Sequence, residues 1–176
     1  MHVGKYARAE IERRFLLAGV PDGEDVLAVN EIDDRYLDST RLRLRRMVQD
    51  DGPTLLKLTQ KLPEPGRDGR QGALTTVYLS EDEYATLAVL PAATLSKSRL
   101  SIAPYGVDVF RGHLAGLYLA EAEFEAAQDA AAFRPAAFCR AEVTADRRFT
   151  GGELVRATRA QVRAWTAEYG IDLPTT

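Results

Sequence analysis

Charged residues recur at every second position in segments that lie far apart along the chain. Arg41-Leu42-Arg43-Leu44-Arg45 alternates base and leucine without a break. Side chains of a strand point to opposite faces with period two, so as a strand this stretch puts three arginines on one face and leucines on the other. The leucine face belongs in a core. The arginine face must meet water or anions, and guanidinium forks match phosphate oxygens bidentately. Thr54 to Lys61 repeats the period, with Lys57, Thr59 and Lys61 on one face. Arg and Leu are also good helix formers. Two consecutive period-two segments around the turn signal Asp50-Asp51-Gly52-Pro53 favour strands.

The opening stretch has the same spacing. Glu10, Glu12 and Arg14 fall on one strand face, and Ile11, Arg13 and Phe15 on the other. A single strand of this kind is most simply a solvated surface strand. An acidic pair beside a cation also suits an interior cavity that holds a metal and an anion. Later segments shift the balance. Lys97, Arg99 and Ser101 alternate with Ser98, Leu100 and Ile102, and Asp108 sits between Val107 and Val109. Glu121 and Glu123 follow Leu117 and Leu119 on one face, as in a strand passing from a packed end into a polar cavity.

Strands are therefore expected over residues 8–17, 32–37, 41–45, 54–61, 73–79, 95–102, 105–110, 117–124 and 140–144. Residues 1–7 read as a lead-in, 24–30 as a short helix or a loop, and 126–137 as a short alanine-rich helix or a loop. Residues 63–72 read as a loop whose Arg67 and Arg70 either gate an anion site or are solvated. His113 falls in a turn. Ser80 and Glu83 form a capping box that starts a helix ending near Leu90, before Pro91. A last helix is expected from Thr150, with Glu153 completing a second box, to about Tyr169. Its Leu154, Val155, Thr158, Val162 and Trp165 make an apolar stripe for packing. Many short strands with a few helices make one α+β domain over residues 1–176. With about eight strands, a sheet closed into a barrel can carry charges on its inner face if that face encloses a ligand.

Composition removes several classes. No run of about 18 apolar residues exists to span a membrane. The N-terminus lacks a basic-then-apolar signal region, which points to the cytoplasm. The one cysteine, Cys139, excludes an internal disulfide and a thiolate zinc cluster, and two histidines leave little scope for a histidine-based site. A net charge of −3 argues against nucleic-acid binding. The charge is nonetheless segregated. Residues 35–61 are rich in bases, whereas Glu121, Glu123 and Glu125 stand with no base among them. Such separation suits a confined anion site that also holds a cation, or opposite charges on neighbouring strands.

Seven stretches, in order over residues 9 to about 155, resemble the motifs of the CYTH proteins, or triphosphate tunnel metalloenzymes. Glu10-x-Glu12-x-Arg14 is similar to the family's Glu-x-Glu-x-Lys, with arginine for lysine. Arg43 and Arg45 match its Arg-x-Arg, and Leu58-Thr59-Gln60-Lys61 its Leu-Thr-x-Lys. Lys97 and Arg99 match Lys-x-Arg, and Val107-Asp108-Val109-Phe110 a Val-Asp-Val-Phe stretch. Ala120-Glu121-Ala122-Glu123 matches Ala-Glu-x-Glu, and Glu142-Val143-Thr144 a late Glu-Val-Thr. Two places depart from the pattern. Gly106 stands where a glutamate is frequent, and Leu74, Thr76 and Tyr78 stand where alternating glutamates are common.

The resemblance implies a closed eight-stranded antiparallel β-barrel, a tunnel with flanking helices. It implies hydrolysis of inorganic tripolyphosphate, or of a related organic triphosphate, with Mg²⁺ or Mn²⁺. An adenylate cyclase making cyclic AMP, and a polyphosphate- or nucleotide-binding module without turnover, stay open. On this reading the metal lies on Glu10, Glu12, Glu121 and Glu123, and the phosphates on Arg14, Arg43, Arg45, Lys61, Lys97 and Arg99. Arg41 and Lys57 share strand faces with these bases, at the rim. Glu10, Glu12, Arg14 and Asp108 form the catalytic set, with Asp108 orienting a base or a metal water. The expected partner is a small triphosphate, with no nucleic acid or membrane and with a homodimer left open.

Overall fold

The computed structural model describes residues 5–50, 52–63 and 71–174. The readings placed on His2, Asp51, Arg67 and Arg70 lie outside them. Eight antiparallel strands form the body: β1 (Arg8–Leu16), β2 (Ala28–Leu37), β3 (Leu42–Gln49), β4 (Thr54–Pro63), β5 (Gln71–Tyr78), β6 (Ala92–Ile102), β7 (Tyr105–Phe110) and β8 (Tyr118–Phe124). They are hydrogen-bonded in the order β5-β4-β3-β2-β6-β7-β8-β1. Pairing of β1 with β5 joins the ends, with Arg8 opposite Leu74 and Ile11 opposite Gln71. The result is a closed barrel. Past Ile11, the edge of β1 that faced β5 takes a two-residue strand, β9 (Ala141–Glu142), opposite Phe15 and Leu16.

Alternation along the strands builds two apolar clusters on opposite faces. Phe15, Tyr105, Val107, Ala120 and Ala122 point outward and pack against Phe133 and Phe138. The short helix α2 (Ala127–Ala132) and the segment after it cover this face. Leu16, Leu95, Phe110 and Leu119 have the opposite parity. They fill one end of the barrel with Leu117, Val143, Phe149, Leu154 and Val162. Each such side chain, fully buried, contributes on the order of 1.5–3 kcal/mol. The inward face of β1 thus runs from Leu16 through Arg14 to Glu12 and Glu10. On β8 it runs from Leu119 to Glu121 and Glu123. The register places Leu16 opposite Leu119, Arg14 opposite Glu121 and Glu12 opposite Glu123.

Several local expectations change. The last helix is not continuous from Thr150. Thr150 makes no side-chain cap, and α3 (Gly151–Leu154) is short. The main helix, α4 (Arg159–Ala167), starts from its own capping box. Thr158 Oγ1 accepts from the Gln161 amide at 3.3 Å, and Gln161 Oε1 accepts from the Thr158 amide at 2.8 Å. That Thr-x-x-Gln pair holds Thr158 extended and so ends any helix entering from its N-terminal side. The strand expected over 140–144 shrinks to β9, because Thr144 turns its side chain back to the Arg14 amide instead of continuing the ladder. β2 starts at Ala28, extended by pairing with Ser101 of β6, so residues 24–30 hold no helix. α1 (Glu81–Ala88) has the Ser80–Glu83 box and ends slightly short of Leu90.

Candidate functional site

The barrel interior beyond the apolar plug is a cavity of about 1170 Å³. Its wall carries Glu10, Glu12, Arg14, Arg43, Arg45, Lys61, Lys97, Arg99, Glu121 and Glu123. Five strands, β1, β3, β4, β6 and β8, contribute these charges, each through the inward parity of its alternating sequence. Counted over the whole lining, including the rim, bases outnumber acids more than two to one.

Two buried aspartates behind the wall hold four of the bases. Asp34 on β2 accepts from Arg45 Nε and Nη2, both at 2.7 Å, and lies 3.7 Å from Arg43 Nε. Burial works to raise its pKa, but the Arg45 hydrogen bonds and the charges of Arg43 and Arg45 hold it down at about 2. Asp108 on β7 is fully buried. It pairs with Lys97 Nζ and accepts from Arg99 Nε and Nη2 at 2.7 Å each. Arg99 also reaches Glu121 on β8. Burial lowers the Lys97 pKa, partly offset by Asp108. Arg99 is held well above the ordinary guanidinium value, because Asp108 and Glu121 outweigh its burial. Glu121, buried but facing Arg99, Lys97, Lys61 and Arg14, is held below the usual carboxylate range.

Arg14 is fixed from behind by the C-terminal segment. Its Nη1 donates to the Phe149 carbonyl at 2.9 Å and its Nη2 to the Thr144 carbonyl at 3.0 Å. Its amide donates to Thr144 Oγ1 at 3.0 Å. Nε, with no hydrogen-bond acceptor, lies 3.4 Å from Glu12 Oε1. Glu12 is the strained acid of the cavity. Burial, then the nearby carboxylates of Glu121 and Glu10, push its pKa up to about 7 against the pull of Lys61 and Arg14. Glu10 accepts from Lys61 Nζ at 2.7 Å. Among the described residues, no three of the acids, cysteines and histidines stand close enough to chelate a metal as they are.

All the residues assigned from the sequence to metal, phosphate or catalysis therefore surround one cavity, with Asp108 behind its wall rather than on it. Lys57 joins the wall, its ammonium 5.2 Å from the centre of the Tyr78 ring. On the outer face, Arg13 grips Glu142 through Nε and Nη2 at 3.0 and 2.6 Å. Sequence reasoning passed over Asp34, Tyr36, Arg147 and Arg156. Asp34 and Tyr36 share a parity with Ile32, which is the signal that could have found them. The Tyr36 hydroxyl is pushed up to about 12 by burial and by Asp34. Arg147 and Arg156 reach the wall from the C-terminal segment, where no strand period marks them.

A closed antiparallel barrel whose bore is lined by clamped bases facing a few acids defines a tunnel for polyanions. The comparisons agree. The chain is 35% identical over 149 residues to a protein of Nitrosomonas europaea named inorganic triphosphatase, covering 80% of this chain and 92% of the relative. The crystal structure of the inorganic triphosphatase NE1496 superposes with a TM-score of 0.56 and 26% identity, over 84% of this chain and 95% of that one. The PH1819 protein of Pyrococcus horikoshii OT3 shares the fold, at a TM-score of 0.54 and 15% identity, over 93% and 92%. No protein-family model matches the chain. The chain belongs to the CYTH, or triphosphate tunnel, family.

Proposed function

We propose that this chain is a triphosphatase that binds inorganic tripolyphosphate, or a related organic triphosphate, along the bore and hydrolyses a phosphoanhydride bond with the help of Mg²⁺ or Mn²⁺. One observation carries the reading. Asp34 and Asp108 hold Arg43, Arg45, Lys97 and Arg99 in the wall of the cavity that Glu10 and Glu12 also line. The Nitrosomonas europaea relative named inorganic triphosphatase supports it.

The residues fit a hard divalent cation in chemistry. Mg²⁺ and Mn²⁺ favour carboxylate oxygens, and Mg²⁺ shares its shell with water and phosphate. Glu12, raised by burial and then by its acidic neighbours, has the environment that a cation would relieve. Glu10, Glu12 and Glu123 would hold it, with Glu121 beside them, once Lys61 moved from Glu10 to substrate. When bound, such a cation supplies positive charge at the reacting phosphoryl group and helps to deprotonate a water.

The chain's own residues supply positioning and charge, which is most of what phosphoryl transfer needs. Arg45, Lys97 and Arg99 are set before substrate arrives, so little reorganisation is needed at the transition state. Arg43, its Nε 3.7 Å from Asp34, adds a further positive charge to the wall. Arg14 keeps Glu12 at the metal end of the bore. The test is phosphate release from tripolyphosphate with Mg²⁺ or Mn²⁺, against the same protein in chelator. Release that needs the cation is expected. Release unchanged by chelator would remove the metal, and no release from inorganic or organic triphosphates would remove the activity.

A further inference from the structure

Gly106 on β7 sits opposite Glu121 of β8 and Ser101 of β6 in the ladder. Its backbone is not in the left-handed region, so conformation alone does not require glycine. Space does. A Cβ built there would lie 3.1 Å from Arg99 Cδ, 3.3 Å from Nε and 3.5 Å from Cζ. The Arg99 side chain passes close over this bare stretch of backbone, and from there it reaches Asp108 and Glu121 together. Glu121 is thereby matched by a fixed positive charge of the protein. Glu12 has a looser match, with Arg14 Nε at 3.4 Å and no side-chain hydrogen bond to a base among the described residues.

We propose that Gly106 and Glu121 are positioning residues for Arg99, and that the acids left for a divalent cation in the bore are Glu10, Glu12 and Glu123. The inference deepens the triphosphatase reading and rests on it. The bore then carries a built-in cation at the Glu121 end and receives a metal only at the Glu12 end. Arg99 presents a set donor face to the phosphate chain instead of a mobile side chain.

The experiment is calorimetric titration, which needs no turnover. Tripolyphosphate is titrated in chelator into the wild type, Gly106→Ala, Arg99→Ala and the double variant. Gly106→Ala weakens binding about tenfold in the native background and not at all in the Arg99→Ala background, because the added methyl acts only through the guanidinium. An equal loss in both backgrounds would mean that glycine serves the backbone alone, and would overturn the proposal. A second titration uses Mn²⁺. Glu12→Gln loses affinity about tenfold or more, whereas Glu121→Gln keeps it. Parallel losses of Mn²⁺ affinity in both variants would restore Glu121 to the ligand set. Absence of tripolyphosphate binding in the wild type would instead overturn the triphosphatase reading itself.

Discussion

Asp34 accepts both Nε and Nη2 of Arg45 at 2.7 Å, and the pair sits in the barrel wall with the carboxylate 1% exposed. A charge so deeply placed survives only because its partner and two hydrogen bonds compensate its lost hydration. Asp34→Ala leaves Arg45 without its counter-ion and is expected to cost about 3–5 kcal/mol. Melting temperature should fall by roughly 10 °C for a chain of this size. Asp34→Asn, which keeps an acceptor, should lose less. The acid limb gives an independent check. The folded pKa of about 2 lies below the ordinary aspartate value of 3.8, so Asp34's stabilisation is complete above 3.8. It fades as pH falls towards 2. Denaturant melts of the wild type from pH 5 to 2 should show this loss, and Asp34→Asn should lack that share of it.

Glu12 works in the opposite sense. Its folded pKa of about 7 lies above the ordinary glutamate value of 4.5, mainly through burial and then through Glu121 and Glu10. The folded state binds the proton more tightly, so stability from this group is full below 4.5 and is lost as pH rises through 7. The span corresponds to about 3 kcal/mol. Metal-free protein should therefore melt higher at pH 5.5 than at 7.5. Glu12→Gln should remove that difference and leave the pH 7.5 protein more stable than the wild type. A wild type with no such slope would show that Glu12 is already compensated at neutral pH.

Much of the barrel was legible because period two survives in each strand that lines it. Leu117, Leu119, Glu121 and Glu123 gave both the parity and the point where packing yields to charge. The structure places the leucines in the apolar plug and the glutamates on the cavity. Asp34 was not singled out because an adjacent aspartate, Asp33, blurs the alternation. Asp33 points outward to Ser96 and Arg46, and only the fold separates the two. Arg147 and Arg156 were illegible for another reason. They stand in a turn and just beyond a short helix, so their approach to the bore depends on how the C-terminal segment plugs the barrel. The break between α3 and α4 is written in Thr158-x-x-Gln161, a capping signal passed over when Thr158 was read as part of an apolar stripe.

Thr144 links that plug to the site. Its Oγ1 accepts from the Arg14 amide at 3.0 Å and donates to Glu142 Oε1 at 2.7 Å, while its carbonyl accepts from Arg14 Nη2. Thr144→Val keeps the shape and leaves the Arg14 amide unsatisfied, at a cost of about 1–3 kcal/mol. Because Arg14 stands against Glu12, a second effect is expected on the chemistry. Phosphate release should slow more than melting predicts, with Thr144→Ser restoring both. If turnover survives Thr144→Val unchanged, the segment only closes the barrel and does not set Arg14.

The bore concentrates bases of one sign, and that repulsion is a cost the substrate can remove. Lys61, Lys97, Arg43, Arg45 and Arg99 all face or flank the same cavity. Anything that binds the folded state alone stabilises it by mass action, by about 4 kcal/mol at a thousand times its Kd. Tripolyphosphate with Mg²⁺ should thus raise the melting temperature by roughly 10 °C at saturation. Orthophosphate spans fewer of the bases and should raise it far less at equal concentration. Raising salt should shrink the gain by screening the exposed part of the attraction. Arg43→Ala should reduce the shift while leaving the unliganded melting point near its starting value, since Arg43 contributes repulsion as well as its contact with Asp34. A melting temperature indifferent to tripolyphosphate at millimolar concentration would mean that these bases do not meet a phosphate chain at all.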